Sequence, residues 1–241
     1  MISDALLDSI AQAVRNKEQL PEFPPGITVA DAYQYLPQLT QRVSGSSAGI
    51  KAGVTNAELQ KLFGLEEALI GLLYQNREIK SGDSLVYSPH RRIECEMAVT
   101  FDADGKPTAV GPAIEFVSLD FARPEDMTPG NVTLSNLGAD QFIRGEMEAW
   151  GRFDFEALST LEIVATRDDE TLLITTPMDS LGGPRLAHEW CMAKAKELGY
   201  SLPQGGILLA GTNGSALNGE PGEYTIDFGH LGSIQFTITD P

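Results

Sequence analysis

Residues 90–117 constrain the fold of this chain more than any other stretch. Ile93, Cys95, Met97 and Val99 alternate with Glu94 and Glu96 in a run that reads as a strand. Asp102-Ala103-Asp104-Gly105 then signals a turn, and Glu115 follows between Ile114 and Phe116 in a second apolar run. Side chains two apart on a strand leave the same face, so Glu94 and Glu96 point one way. Three carboxylates set in apolar strands are costly to bury unless positive charge meets them. A hard divalent cation such as magnesium, which takes oxygen ligands and keeps waters for its substrate, meets that need. An isolated Glu-x-Glu pair more often marks the solvent face of a strand, so this pair gains weight only from the rest of the chain.

The 241 residues carry 17 basic and 34 acidic side chains, a formal charge of −17. No basic stripe offsets it, which argues against nucleic acid or an anionic membrane surface as partner. A small anionic substrate stays compatible, because a bound metal reverses the local sign. The hydrophobic share of 42% and the length suit a globular protein with a substantial core. Cys95 and Cys191 both fall in apolar runs and are expected as free core thiols of a reduced compartment. The N-terminus lacks the basic segment and apolar core of a signal peptide, and no run approaches a membrane span. A cytoplasmic location is expected.

Residues 3–17 predict an amphipathic helix with Ser3 as N-cap and Leu6, Ile10, Ala13 and Val14 on one stripe. Thr28 caps a second expected helix through Ala30, Tyr33 and Leu36 to Val43, and Ser44–Ser47 reads as a turn. Ala48–Val54 is strand-like. Thr55 with Glu58 forms a capping-box pattern for a helix over Leu59, Leu62 and Phe63 that stops at Gly64. Strands are expected at 92–101, 110–118, 160–166, 171–176, 206–210, 223–228 and 232–239. One helix interrupts them at 184–198, with Pro184 in its first turn, Gly199 after its end, and Leu186, Trp190 and Ala193 on its apolar stripe. The fold class is therefore α+β rather than a βαβ alternation. Residues 1–80 form a helical N-terminal region that carries the Lys51 segment, and residues 81–241 a β-rich catalytic body.

In order and spacing these pieces resemble a known family. Gly49-Ile-Lys51-Ala-Gly53-Val-Thr55 is similar to its Gly-x-Lys-x-Gly-Leu-Thr, Arg92-Ile-Glu94-Cys-Glu96 to its Arg-Ile-Glu-x-Glu, and Ala113-Ile-Glu115-Phe-Val117 to its third-ligand strand. Asn136, Leu181-Gly182-Gly183-Pro184, Leu208-Leu-Ala-Gly211, Pro221-Gly222-Glu223 and Leu231-Gly232-Ser233 follow in the expected order. The family is that of the 2-oxopent-4-enoate (2-hydroxypentadienoate) hydratases and 4-oxalocrotonate decarboxylases, within the fumarylacetoacetate hydrolase superfamily. The likeness runs from about residue 28 to the C-terminus. It implies a helical N-terminal segment on a mixed β-sandwich or β-roll, and assembly into oligomers. It also implies a Mg2+ or Mn2+ ion on Glu94, Glu96 and Glu115, Lys51 as the acid–base residue, and Asn76, Asn136 and Gly211 in the substrate site. The implied substrate is a small 2-oxo acid.

Residue chemistry fits those roles. A 2-oxo acid offers carboxylate and keto oxygens to one open-sided metal, and a lysine out of water beside a metal is expected to have a lowered pKa. Unaided, Lys51 reads as a strand-end lysine whose ammonium reaches solvent. The sequence also departs from the family. A Val-Asp-Ser-Arg run becomes Val117-Ser118-Leu119-Asp120, Ala-Asp-Asn becomes Leu134-Ser135-Asn136, Leu-Thr-Gly becomes Leu209-Ala210-Gly211, and an Asp becomes Asn76. Either a structural Asp/Arg network has been lost as a unit, or the groups that meet the distal end of the substrate have changed. The expected activity is that of a metal-dependent hydratase acting on a short unsaturated 2-oxo or 2-hydroxydienoic acid. Decarboxylation of a related oxo-diacid is the alternative, and a non-catalytic subunit associated with a related decarboxylase or hydratase is the alternative of another class. Acylpyruvate hydrolysis ranks lower, because none of His90, His188 and His230 stands next to a glutamate in an obvious lid.

Overall fold

The computed structural model describes residues 2–241. Helices are α1 (Asp4–Asn16), α2 (Val29–Tyr33), α3 (Leu36–Ser44), α4 (Ala57–Phe63), α5 (Pro129–Leu134) and α6 (Pro184–Glu197). The first half of the strands comprises β1 (Ser47–Gly53), β2 (Leu69–Tyr74), β3 (Glu78–Ile79), β4 (Ser84–Val86), β5 (Arg91–Phe101), β6 (Pro107–Ser118) and β7 (Ala139–Arg144). The rest are β8 (Glu148–Ala149), β9 (Ile163–Arg167), β10 (Glu170–Thr175), β11 (Ile207–Leu209), β12 (Leu217–Asn218), β13 (Gly222–Asp227) and β14 (Ser233–Thr239).

α1 begins where Ser3 Oγ accepts from the Leu6 N–H and ends at Lys17 in the left-handed region. It buries Leu7, Ile10, Ala11 and Ala13, so the apolar stripe is centred one position later than expected, with Leu6 and Val14 on its flanks. The expected helix from Thr28 to Val43 is two helices. Pro37 lies in the first turn of α3; it has no N–H, and in a continuous helix its ring would press on the Tyr33 carbonyl. Asn56, not Thr55, caps α4, its side chain accepting from the N–H groups of Glu58 and Leu59. α4 buries none of its residues, and Leu59 and Leu62 stand exposed. α6 faces the sheet with Ala187, Cys191 and Ala195, leaving Leu186 exposed and Trp190 half-buried. Small residues on that face let the helix lie close on the strands, which displaces the bulky stripe expected from the sequence.

A nine-stranded sheet runs in the order β2-β1-β11-β5-β6-β7-β3, with β12 on β5 and β8 on β6. A five-stranded sheet runs β10-β9-β13-β14-β4. Both mix parallel and antiparallel pairs; β1 is parallel to β11 and antiparallel to β2. The sheets meet where Phe116 of β6 packs edge-on against Phe236 of β14 at 5.0 Å, with Tyr224 stacked on Phe236 at 4.9 Å. One face of the large sheet supplies the main core through Ile50, Ile70, Cys95, Met97, Ile114 and Phe116. Cys95 and Cys191 are buried free thiols, and burial pushes Cys95 up to about 12. Residue 80 marks no break, since β1, β2 and β3 share this sheet with β5, β6 and β7.

Candidate metal centre

Strand register assembles the site. β5 and β6 pair antiparallel with Glu94 opposite Glu115 and Glu96 opposite Ala113. β1 brings Lys51 to the same sheet opposite Leu209 of β11, which in turn lies opposite Ala98 of β5. By the two-residue alternation, Lys51, Glu94, Glu96 and Glu115 all leave the face opposite the main core. Each carboxylate offers an oxygen within 4.8 Å of the others. Lys51 Nζ lies 2.7 Å from Glu115 Oε1 as an ion pair, and donates to the Leu137 carbonyl at 3.4 Å.

Three carboxylates against one ammonium leave two surplus negative charges in a site where Lys51, Glu96 and Glu115 are almost wholly out of water. Burial, then repulsion from Glu115 and Glu94, raises the Glu96 carboxyl well above its ordinary range. Burial raises Glu115 as well, against the opposing pull of Lys51. For Lys51, burial acts to lower the pKa, yet Glu115, Glu94 and Glu96 together outweigh it and hold the ammonium above its ordinary value. The lowered lysine expected from the sequence is therefore not a property of the protein alone. Glu96 Oε2 accepts from the Gly211 N–H at 2.7 Å, but Glu96 Oε1 and Glu115 Oε2 are buried without a partner, and Glu115 Oε1 meets Lys51 alone. Orphaned anionic oxygens converging in this way fit a hard divalent cation, which would satisfy the oxygens and cancel the surplus charge together.

Neighbouring backbone shapes the pocket. Gly211 has φ +95°, and a Cβ there would fall 2.5 Å from Ser180 Oγ and from Thr55 Cγ2. At Gly71, opposite Lys51, a Cβ would press on Lys51 Cγ and Asn136 Oδ1, both at 3.0 Å. Asn136 uses both ends of its amide on Leu72, accepting from its N–H at 2.8 Å and donating to its carbonyl at 2.7 Å. It thereby clamps β2 beside Lys51 and, with Asn136 and Leu137 both at positive φ, turns the Leu137 carbonyl toward the ammonium. Asn76 is not brought to the site. It lies in the exposed turn after Tyr74, beyond the end of β2 remote from Thr55, at a left-handed φ of 64°.

Lys51 and Glu94 form the floor of an open cleft of about 550 Å³. Val54, Phe63, Val117, Leu119, Val132 and Leu137 wall it. Among these, Val54, Val117 and Leu119 belong to the motif segments compared with the family, whereas Val132 and Leu137 carried no signal in the sequence. Ser118, Asp120 and Ser135 instead line a separate cavity of about 50 Å³ with Lys17, Arg91 and Asp140. The Ala210 carbonyl accepts from Ser180 Oγ at 2.7 Å and is buried. Among Asn76, Ser118, Leu119, Asp120, Ser135 and Ala210, Leu119 alone lines the cleft.

No family model matches the chain. It is 26% identical over 129 residues to REH2-associated factor 2 of Trypanosoma brucei brucei, a match spanning 53% of this chain and about half, 48%, of that protein. It is 24% identical over 205 residues to 4-oxalocrotonate decarboxylase of Pseudomonas sp, covering 79% and 78% of the two chains. The solved structure of 4-oxalocrotonate decarboxylase from Pseudomonas putida G7, complexed with magnesium and adipate, superposes over 99% of both chains with a TM-score of 0.82 at 21% identity. The chain has the fumarylacetoacetate hydrolase type of fold. Fumarylpyruvate hydrolase from Pseudomonas aeruginosa, in complex with Mn2+ and pyruvate, superposes at TM-score 0.57 and 11% identity over 80% of this chain and 89% of that one. Within this fumarylacetoacetate hydrolase fold, the glutamates and Lys51 occupy the sheet face turned away from the main core.

Proposed function

We propose that this chain is a divalent-metal-dependent lyase acting on a short unsaturated 2-oxo or 2-hydroxydienoic acid, with hydration as its reaction. The observation that carries the reading is the pair of buried carboxylate oxygens without partners, Glu96 Oε1 and Glu115 Oε2, beside Lys51 at the floor of an open cleft. Glu94, Glu96 and Glu115 would hold Mg2+ or Mn2+. When bound, the ion supplies Lewis acidity that the carboxylate and keto oxygens of a 2-oxo acid can engage. Lys51 carries the proton to or from C3, its Nζ steered by Glu115 and the Leu137 carbonyl. Gly211 holds Glu96 in place, and the apolar wall lies against the carbon chain while the open cleft admits the water to be added. Support for the metal comes from similar folds whose structures contain magnesium and manganese, and support for a 2-oxo acid from the pyruvate in the manganese complex.

A second reading, decarboxylation of a 4-oxalocrotonate-like diacid, is favoured by similarity in sequence and fold to proteins of that name. Acylpyruvate hydrolysis shares its fold with this chain through the fumarylpyruvate hydrolase, but the histidine that would help make hydroxide has no counterpart in the cleft. None of the three histidines lines the cleft; His90 lies 3.5 Å from Asp120, and His188 pairs with the Gly105 carbonyl at 3.0 Å. The reading also includes self-association and, for a subunit lacking activity, pairing with a related enzyme, both open to sedimentation analysis. Incubation with 2-hydroxypenta-2,4-dienoate and with 4-oxalocrotonate plus magnesium tests the reaction. Ultraviolet loss of the dienoate without carbon dioxide release supports hydration, and carbon dioxide from the diacid supports the second reading. Neither signal, together with no magnesium-dependent rise in melting temperature, would leave the non-catalytic subunit.

A further inference from the structure

Beyond its floor the cleft is mainly apolar. Val54, Leu62, Phe63, Leu119, Val132 and Leu137 supply that surface, Thr55, Asn56, Thr212 and Ser215 add neutral polar groups, and Met127 stands half-exposed at the edge. Lys51 is its only cation among the described residues, and that ammonium is already paired with Glu115. Its remaining charged residues are both acidic, Glu94 on the floor and Glu58 on the wall. The start of α4 also opens on the cleft, but the N–H groups of Glu58 and Leu59 are taken by the Asn56 side chain and are not free for an anion. The cleft, about 550 Å³ and open to solvent, extends from Lys51 and Glu94 out to the first turn of α4, beyond the reach of a 2-oxo acid head alone.

From this we infer that the substrate carries an uncharged, apolar tail beyond its 2-oxo acid head, and that diacids are selected against. The inference rests on the function proposed above. A distal carboxylate would leave water for a wall without a guanidinium or free ammonium, and would meet Glu58 as a like charge. A methyl-ended tail instead covers apolar wall, gaining about fourfold in affinity per methylene buried.

The test uses 2-oxooctanoate and 2-oxooctanedioate, equal in length and differing at the tail end, with the magnesium-loaded protein. Dissociation constants come from calorimetry, and turnover from proton exchange at C3 followed by NMR. The expected result is at least tenfold tighter binding and higher kcat/KM for the monoacid. Met127→Arg, at an exposed position that tolerates a charge without refolding the core, should shift that preference toward the diacid at least fivefold. Exchange of both acids with equal affinity, a preference for the diacid, or an unchanged preference in Met127→Arg overturns the tail assignment and leaves the metal–lysine chemistry standing. Failure of either acid to bind or exchange overturns both.

Discussion

Glu96→Gln should act in opposite directions with and without metal. The ligand oxygens lie within 4.8 Å of one another. At an effective dielectric of about 20, two unit charges at that separation interact by ~3.5 kcal/mol. Ionised Glu96 is repelled by Glu94 and Glu115 and attracted by Lys51, a net penalty of order one such interaction before the cost of burial. A doubly charged ion among the three lies closer to Glu96 than the oxygens lie to one another, and gains at least about 7 kcal/mol from it on the same scale. Relief of repulsion returns about 3.5 kcal/mol, leaving a loss of at least about 3 kcal/mol, or at least roughly a hundredfold in Kd. At magnesium one hundred times the wild-type Kd, the wild type gains about 2.7 kcal/mol, and the variant at most about 0.4 kcal/mol. For a chain of this size these correspond to rises in Tm of about 5–10 °C and at most about 1 °C. A glutamine carbonyl can still accept from the Gly211 N–H, so in EDTA at pH 8 the variant should melt no lower than the wild type. Thermal denaturation of both proteins, with EDTA and across a magnesium series, reads out all four states. An equal magnesium increment in the variant, or a fall of several degrees in EDTA, would refute the reasoning, since both mark an ordinary structural glutamate.

Lys51→Met should lower 2-oxo acid turnover at least a thousandfold while magnesium still raises Tm, because the ligands are untouched; turnover within tenfold of wild type by NMR would return the role to another residue. Without metal, stability should fall with rising pH, because Glu115 has a folded pKa raised from 4.5 to about 7 and burial raises Glu96 as well, so the folded state holds the extra protons. That contribution is complete below about 4.5 and lost as pH rises through about 7; saturating magnesium, which keeps the carboxylates ionised, should reverse the slope, and parallel melting curves at pH 5–8 check the sign. Gly211→Ala should cost about 2–4 kcal/mol, from the unfavourable φ and the contact with Ser180 and Thr55, and should weaken magnesium binding by displacing the donor to Glu96; a change under 1 kcal/mol in denaturant melts would contradict it.

How much of this was legible in the sequence depended on periodicity. Glu94, Glu96 and Glu115 stand in runs whose alternation declares a strand and a face, and the structure places their oxygens together as that alternation requires. Leu69–Tyr74 is buried at every position, so it lacks alternation and its strand is not distinguishable from a helix by period. The same parity explains the departures from the family. Val117 and Leu119 share the face of Glu115 and reach the cleft, while Ser118 between them faces the Arg91–Asp140 cavity. Adjacency in sequence suggested one group of specificity residues, and the pleat divides it. Asn136 carried a visible signal, yet its backbone clamp on Leu72 depends on a contact 64 residues away that no local pattern encodes. The Lys51 pKa likewise depends on which charges surround it in space, and a lone lysine between glycines does not announce three carboxylates.

The central claim is that Glu94, Glu96 and Glu115 hold a divalent ion beside a proton-carrying Lys51. Deuterium incorporation at C3 of 2-oxopentanoate in D2O, followed by NMR, tests both halves in one measurement. The account predicts exchange that requires Mg2+ or Mn2+, is abolished by EDTA and restored by added metal, and is lost in Lys51→Met and in Glu115→Gln. Exchange that continues in EDTA, or that survives unchanged in either variant, would contradict it.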